Sequence, residues 1–355
     1  MENLIGQEKQ KPNWQIAIWL LIGVIMIVIQ ILLGGITRLT ESGLSITEWK
    51  PLTKILPPLN NTAWQIEFDK YRTTDQFKYV HQSFSLNDFK QIFFWEWLHR
   101  FWAKLLGVVF LIGFIYFLIK RKMSRQMVIP MIILFILGAM QGAVGWIMVK
   151  SGLVPQKYFV GHVELTTHFV AALILLSYLL WFALSLMPSM HQKIKSAELK
   201  NILSAILILV FIQLIYGGFM AGLKAAATAP TWPDIHGAFI PAGINEMKPW
   251  WINLVNNPLA IQFIHRGIGY LLVAFIIWFY LRSKNMVSNV IFKKLRITFL
   301  ILVSLQVVLG IFTLLNATVT NNFILLGISH QFTAMLLVMC LVCLYYLVVK
   351  KLPQY

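Results

Sequence analysis

Apolar residues gather in eight stretches: 14–36, 93–119, 127–149, 162–187, 199–222, 259–281, 294–315 and 326–349. Each is long enough to cross a bilayer as a helix, which takes about 20 residues. Polar residues collect between them. The pattern predicts an all-α polytopic membrane protein with eight transmembrane helices. The first stretch follows a short polar N-terminus and has no small-residue cleavage signature, so it reads as an uncleaved span.

Charge orients the spans. Lys120, Arg121, Lys122 and Arg125 fill one connection, Lys193 and Lys195 another, and Arg282, Lys284, Lys293, Lys294 and Arg296 a third. Lys350 and Lys351 lie in the tail. The alternate connections are poorer, with only Lys150 and Lys157 in 150–161 and no charge in 316–325. Because Lys and Arg concentrate in cytoplasmic loops, both termini are expected in the cytoplasm. Composition agrees with a membrane protein: 58% of residues are hydrophobic and 12% charged, against roughly a quarter charged in soluble domains. The net charge of +17 is then a topology signal, and a nucleic-acid partner is not expected. Cys340 and Cys343 both fall within the last apolar run and read as packing residues.

Two outer connections are long, 37–92 and 223–258. Their tryptophans and prolines, among them Trp49, Pro57, Trp64, Trp232 and Pro249, suit ordered caps near the membrane interface better than flexible linkers.

The spans also repeat. Gly34-Gly35 in span one matches Gly217-Gly218 in span five. The run from Glu96 to Arg100 matches Gln262 to Arg266, Gln141–Gly145 matches Gln306–Gly310, and His168 matches His330. Corresponding spans are an even number of crossings apart, so the halves share one orientation. This predicts two pseudo-repeated four-helix bundles, 14–187 with outer loop 37–92 and 199–349 with outer loop 223–258. Glycine pairs would let their helices approach closely.

Four histidines fall in step, His99 with His265 and His168 with His330, at offsets of 166 and 162. Within each half the two should sit at one depth near the outer face. Two inward-facing imidazoles at one level clamp a haem plane, one axial ligand from each side. The plainer alternative is that they are interhelical hydrogen-bonding groups. Two matched pairs favour the cofactor, since ionisable groups inside spans are costly. His162 has no repeat partner, and His81, His191 and His236 read as solvated loop residues. Glu96 breaks the symmetry, because its counterpart is Gln262. A carboxylate in one half only suggests chemistry in that half; the alternative is a surface anchor neutralised by Arg100. Arg100 and Arg266 could pair with haem propionates or simply snorkel to the interface. The aromatic run Phe93, Phe94, Trp95, Trp97, Phe101 and Trp102 suits an interface belt. These residues alone fit an enzyme, a bis-histidine di-haem electron-transfer cytochrome or a haem carrier.

Longer motifs narrow the choice. The runs 34–45 (GGITRLTESGLS), 47–51 (TEWKP), 56–59 (LPPL), 67–71 (EFDKY), 95–100 (WEWLHR), 262–266 (QFIHR) and 309–315 (LGIFTLL) resemble the haem A synthase family, in its alphaproteobacterial and mitochondrial branch. The similarity covers nearly the whole chain. It implies oxidation of the C8 methyl of haem O to a formyl group, by successive hydroxylation to a gem-diol that loses water, giving haem A for terminal oxidases. By that resemblance His265 and His330 hold the iron of a resident haem b, with Arg266 beside it. His99 and His168 flank the iron of the substrate haem, with Arg100 and a catalytic Glu96 nearby. A haem O synthase as supplier, the oxidase assembly machinery and a bacterial inner-membrane location are implied. The electron acceptor, the oxygen source and a homo-oligomer are left open. Another branch carries a cysteine pair in the first outer loop; residues 37–92 contain none, so a mechanism using that pair does not apply.

Overall fold

The structure is a computed structural model that describes residues 14–48, 56–190 and 192–349. Trp49, Lys50, Pro51, His191, Lys350 and Lys351 lie outside the described residues. The helices are α1 (Trp14–Leu39), α2 (Asn61–Arg72), α3 (Asp75–Tyr79), α4 (Leu86–Ile119), α5 (Arg125–Gly152), α6 (His162–Ser185), α7 (Ala197–Gly222), α8 (Ala225–Thr228), α9 (Asn253–Asn256), α10 (Pro258–Ser283), α11 (Val290–Leu315) and α12 (Thr320–Val348). Eight are long and apolar enough to cross a membrane: α1, α4, α5, α6, α7, α10, α11 and α12. They coincide with the eight predicted spans. No strand occurs among the described residues.

Helix ends are set by polar caps. Ser196 accepts from the Leu199 N–H and Asn289 from the Phe292 N–H, closing the first turns of α7 and α11. Asn257 caps α10, with Pro258 at its first position, where a missing N–H costs nothing. The largest departure from expectation is α4, which begins at Leu86 rather than at 93. Ser85 and Asp88 form a reciprocal capping box there, which starts the helix before the sequence turns strongly apolar. Similarly, α12 starts at Thr320 rather than at 326. The paired histidines therefore lie inside helices, not at their first residues.

α1 packs on α4, α6 and α12, and α6 packs also on α5, α7 and α12. α7 packs on α10 and α12, and α11 lies against α12 and α10. Burial follows this layout. In α1, α6 and α12 more than half of the most apolar window is buried, against 6% in α4 and 17% in α11. The first three form the centre, while α4 and α11 give their apolar faces to lipid.

The main buried cluster is confined to one end of the bundle. It takes residues such as Leu20 from the start of α1, Leu180 from the end of α6, Leu203 from the start of α7, Phe279 from the end of α10 and Leu344 from the end of α12. At the opposite end the helices part around a cavity. Above it sits a second cluster of Phe68, Tyr71, Phe89, Ile92 and Phe93, with Trp64 and Trp97 against it. The first outer connection is thus an ordered cap with its own small core. In the aromatic run, Phe93 and Trp97 serve this core, while Phe94 is exposed.

Candidate functional site

The cavity has a volume of about 1110 Å³ and is lined by His99, His168, His265, His330, Glu96 and both Arg100 and Arg266. A small-ligand pocket usually spans about 300–1,000 Å³, so this one has room for more than one ordinary ligand. His99 and His168 lie close enough to interact electrostatically, as do His265 and His330. The histidines come together in the pairs that the repeat suggested.

Each ring is seated on a glycine of a neighbouring helix. A Cβ at Gly34 would lie 3.1 Å from His99 Cε1, and one at Gly145 2.8 Å from His168 Cε1. The equivalent distances are 3.4 Å from Gly217 to His265 and 3.0 Å from Gly310 to His330. A larger residue would push the imidazoles into the cavity. The second glycine of each pair does something different. A Cβ at Gly35 would meet Gln331 of α12 at 2.1 Å, and one at Gly218 would meet Thr166 of α6 at 2.5 Å. These close approaches join α1 to α12 and α7 to α6.

Two imidazoles per pair fit a haem iron, whose remaining ligands come from the macrocycle. Among the described residues no group of three or more His, Cys, Asp or Glu side chains could hold a bare metal ion. The His265 Nδ1 atom is buried without a hydrogen-bond partner. A tight apolar seat with a spare ring nitrogen suits an axial ligand.

Glu96 is buried, 2% exposed, and richly bonded. Its Oε2 accepts from Ser45 Oγ at 2.7 Å and from the Ile46 N–H at 2.9 Å. Its Oε1 pairs with Arg100 one turn along α4. Arg100 also donates to the carbonyls of Ile46 at 3.1 Å and Glu48 at 3.4 Å. Gln262 stands in the same relation to its own loop, with the hydrogen bonds reversed. Its Nε2 donates to the Ala225 and Ala229 carbonyls, each at 3.2 Å. Arg266 donates to the carbonyls of Thr231, Asp234 and Pro233. The first loop presents donors to position 96 and the second presents acceptors to position 262. That polarity suits a carboxylate in one half and an amide in the other. Both arginines brace outer loops while lining the cavity.

The remaining histidines separate. His81 is not a solvated loop residue: it is buried, stacked on Phe84 with centroids 4.0 Å apart. It contacts Tyr71 Oη at 2.7 Å and Glu41 at 3.3 Å. His162 opens α6, packs edge-on to Phe219 and leaves its buried Nε2 without a partner. His236 is exposed and its Nε2 meets the Thr228 carbonyl.

Glu41 joins the halves at the cavity end of the bundle, since it binds both His81 and Lys224. The His81 hydrogen bond, with help from Lys224, holds its carboxyl down from 4.5 to about 2. A depressed carboxyl contributes stability that is complete above its unfolded pKa and is lost as pH falls through the folded one. The first outer cap is therefore expected to loosen between pH of about 4.5 and 2. Protease nicking of the cap across that range measures it. Equal protection throughout, or an unchanged profile in Glu41→Gln, would refute the assignment.

Sequence reasoning passed over Gln30 and Gln213, and it read Gln141 and Gln306 only as repeat positions. Gln30, Gln141, Gln213 and Gln306 each place a side-chain amide on one of the four rings. Their signal was present in the sequence, a glutamine four residues before each ring-seating glycine.

Comparison with known proteins shows the family. Residues 17–342 match the COX15-CtaA family, described as cytochrome oxidase assembly protein. A Heme A synthase of Parvibaculum lavamentivorans is 43% identical over 272 residues, covering 76% of this chain and 78% of the relative. A Heme A synthase of Flavobacterium johnsoniae is 38% identical over 332 residues, covering 92% and 96%. One from Paracoccus denitrificans is 37% identical over 327 residues, covering 91% and 84%.

Proposed function

The chain belongs to the COX15-CtaA family of cytochrome oxidase assembly proteins, and from that premise we propose that it is an enzyme of haem A synthesis, an oxidoreductase that converts the C8 methyl of haem O to a formyl group. The observation that carries this reading is the pair of glycine-seated imidazoles in each half, facing one cavity. The relatives named for the same synthesis align along nearly the full chain. Cells making haem O, with and without this protein, test it by haem extraction and chromatography. Haem A should form only with the protein. An electron carrier or a haem carrier would leave haem O unchanged, and that result would overturn the proposal.

The bundle 199–349 is assigned the resident haem b, with His265 and His330 as axial ligands and Arg266 near the propionates. Such a haem supplies one-electron redox chemistry. The bundle 14–187 is assigned the substrate haem, whose iron His99 and His168 flank, with Arg100 near its propionates. Turning a methyl into a formyl group removes four electrons and adds one oxygen, so protons must leave the carbon. Glu96 is the carboxylate placed to receive one. Arg100, Ser45 and the Ile46 N–H hold it in one position beside the cavity, which keeps a general base ready for use. A second reading, favoured by the same bonds, makes Glu96 an anchor for the outer cap.

The location proposed is a bacterial inner membrane, with both termini cytoplasmic and the cavity toward the outer face. A haem O synthase would deliver the substrate and the oxidase assembly machinery would take the product. Reporter fusions at residues 124 and 240 should report opposite sides, because the Lys/Arg excess lies on the side of the first. Signals from one side would overturn the topology.

A further inference from the structure

The two halves differ in how their second and third spans meet. In the second half α10 packs on α11. In the first half α4 packs on α1 and α5 packs on α6, while the backbones of α4 and α5 stand apart. Rings join these two helices near their hairpin, where Phe110 and Phe114 approach Phe135 with centroids 4.8 and 5.2 Å apart. From there toward the outer end the pair opens into the cavity. Ala103, Lys104 and Leu106 of α4 line it, as do Gly138 and Gly142 of α5.

The repeat shows what the first half leaves out. In the register set by Gln141 and Gln306, Gly138 corresponds to Val303 and Gly142 to Val307. In the register set by His99 and His265, Gly107 corresponds to Val273. Val303 belongs to the main buried cluster and Val273 packs against it. Gly107, Gly138 and Gly142 are exposed instead, and a Cβ at any of them would meet nothing within 4 Å. Gly35 and Gly218 bring helices together; these three hold helices to nothing. A bare α5 wall beside an unpacked α4 leaves a slot from the His99–His168 site to the lipid-facing surface. Interiors are close-packed because a void forfeits contacts on one side, so a slot kept open in one half only calls for an occupant.

We propose that the slot between α4 and α5 seats the isoprenoid chain of the substrate haem and is the sideways path by which that haem enters from the bilayer. The inference rests on the first half holding haem O, which bears a long isoprenoid chain where haem b bears a vinyl group. Such a chain avoids water. A slot open to hydrocarbon lets the ring system reach His99 and His168 while the chain stays in an apolar setting. The chain lies against the backbone of Gly138 and Gly142, and the methylenes of Lys104 extend the wall. In the second half, valines and the contact of α10 with α11 close the equivalent path, which suits a haem that has no chain and does not leave. The slot thus selects the substrate as well as admitting it.

The purified full chain, with its resident haem in place, is titrated with haem O and with haem b, and new low-spin absorption reports binding at the first site. Wild type should bind haem O at least about tenfold more tightly than haem b, the low end of what one methylene discriminates in an apolar pocket. Gly138→Val and Gly142→Val each import the residue of the other half. They should remove the preference by weakening haem O alone, with the resident spectrum unchanged. No preference in wild type would overturn the proposal, and is the result expected if phospholipid chains or a second copy fill the slot. A preference kept in both glycine variants, or equal weakening of both haems, would also overturn it. Should one variant fail to fold, the other decides, and the wild-type preference is measured without either. His99→Ala separates the premise: unchanged binding of both haems there would remove the substrate-haem reading itself.

Discussion

Glu96→Gln is expected to lower haem A formation about a hundredfold while the resident haem stays bound. That magnitude is the low end of what acid–base groups contribute, about 10² to 10⁴. The argument begins with what the two halves share. Both seat two imidazoles on glycines, and both follow the first histidine of the pair with an arginine that braces the outer loop. Only the first half adds a carboxylate to this set. Glutamine is the right probe because position 262 already carries one in the same geometry, with an arginine one turn on. In Glu96→Gln a single amide oxygen would remain to serve Ser45, Ile46 and Arg100. The cap would loosen locally, but the second bundle lies elsewhere and should hold its haem. Haem extraction and chromatography from cells making haem O give the result directly. A normal haem A yield would end the catalytic role and leave Glu96 as the anchor of the first cap. Ser45→Ala sharpens the distinction, since it removes one loop tie and keeps the carboxylate. If the anchor reading holds, it should reduce activity as much as Glu96→Gln does.

His265→Ala and His330→Ala should each give protein without the low-spin absorption of the resident haem. A site built from two axial ligands loses half of its axial ligation when either is removed. No neighbouring side chain replaces the loss. Gln213 and Gln306 present amides, which are weak ligands for iron, and the glycine seats offer no donor atom. His99→Ala and His168→Ala supply the contrast, since they should keep the resident spectrum and lose haem A formation. Pigment content of purified variants measures both sets. A wild-type spectrum in either second-half variant would remove that residue from the ligand set. A pale His99→Ala would overturn the assignment of the two haems to separate halves.

All eight crossings were legible because a bilayer demands long apolar runs, and such runs tolerate little ambiguity. The histidine pairs were legible through repetition, since spacing shows which residues correspond even when it cannot show contact. The early start of α4 at Leu86 was missed because a capping box is a polar signal ahead of the apolar one. His81 was misread for a related reason: a loop that builds its own aromatic core buries residues that loops usually expose. The meaning of Glu96 was only half legible. Sequence shows the carboxylate and its amide counterpart, but not that Ile46 offers an N–H where Ala225 and Ala229 offer carbonyls. Backbone polarity in a loop has no one-letter code. Gln141 and Gln306 were visible as repeat markers, yet their purpose depends on a contact between different helices.

The adjacent glycines of α1 and α7 set a limit on how this molecule can change. Gly34 seats an imidazole of its own half while Gly35 receives Gln331, the neighbour of His330, from the other half. Gly217 and Gly218 repeat the arrangement with His265 and Thr166. A mutation that enlarges either residue of a pair disturbs one site directly and the seam beside the other. Two such halves are not free to change independently where they touch. Divergence is channelled outward to the loop-facing positions, such as 96 and 262, where one half can acquire a new task while the shared seam keeps both in register.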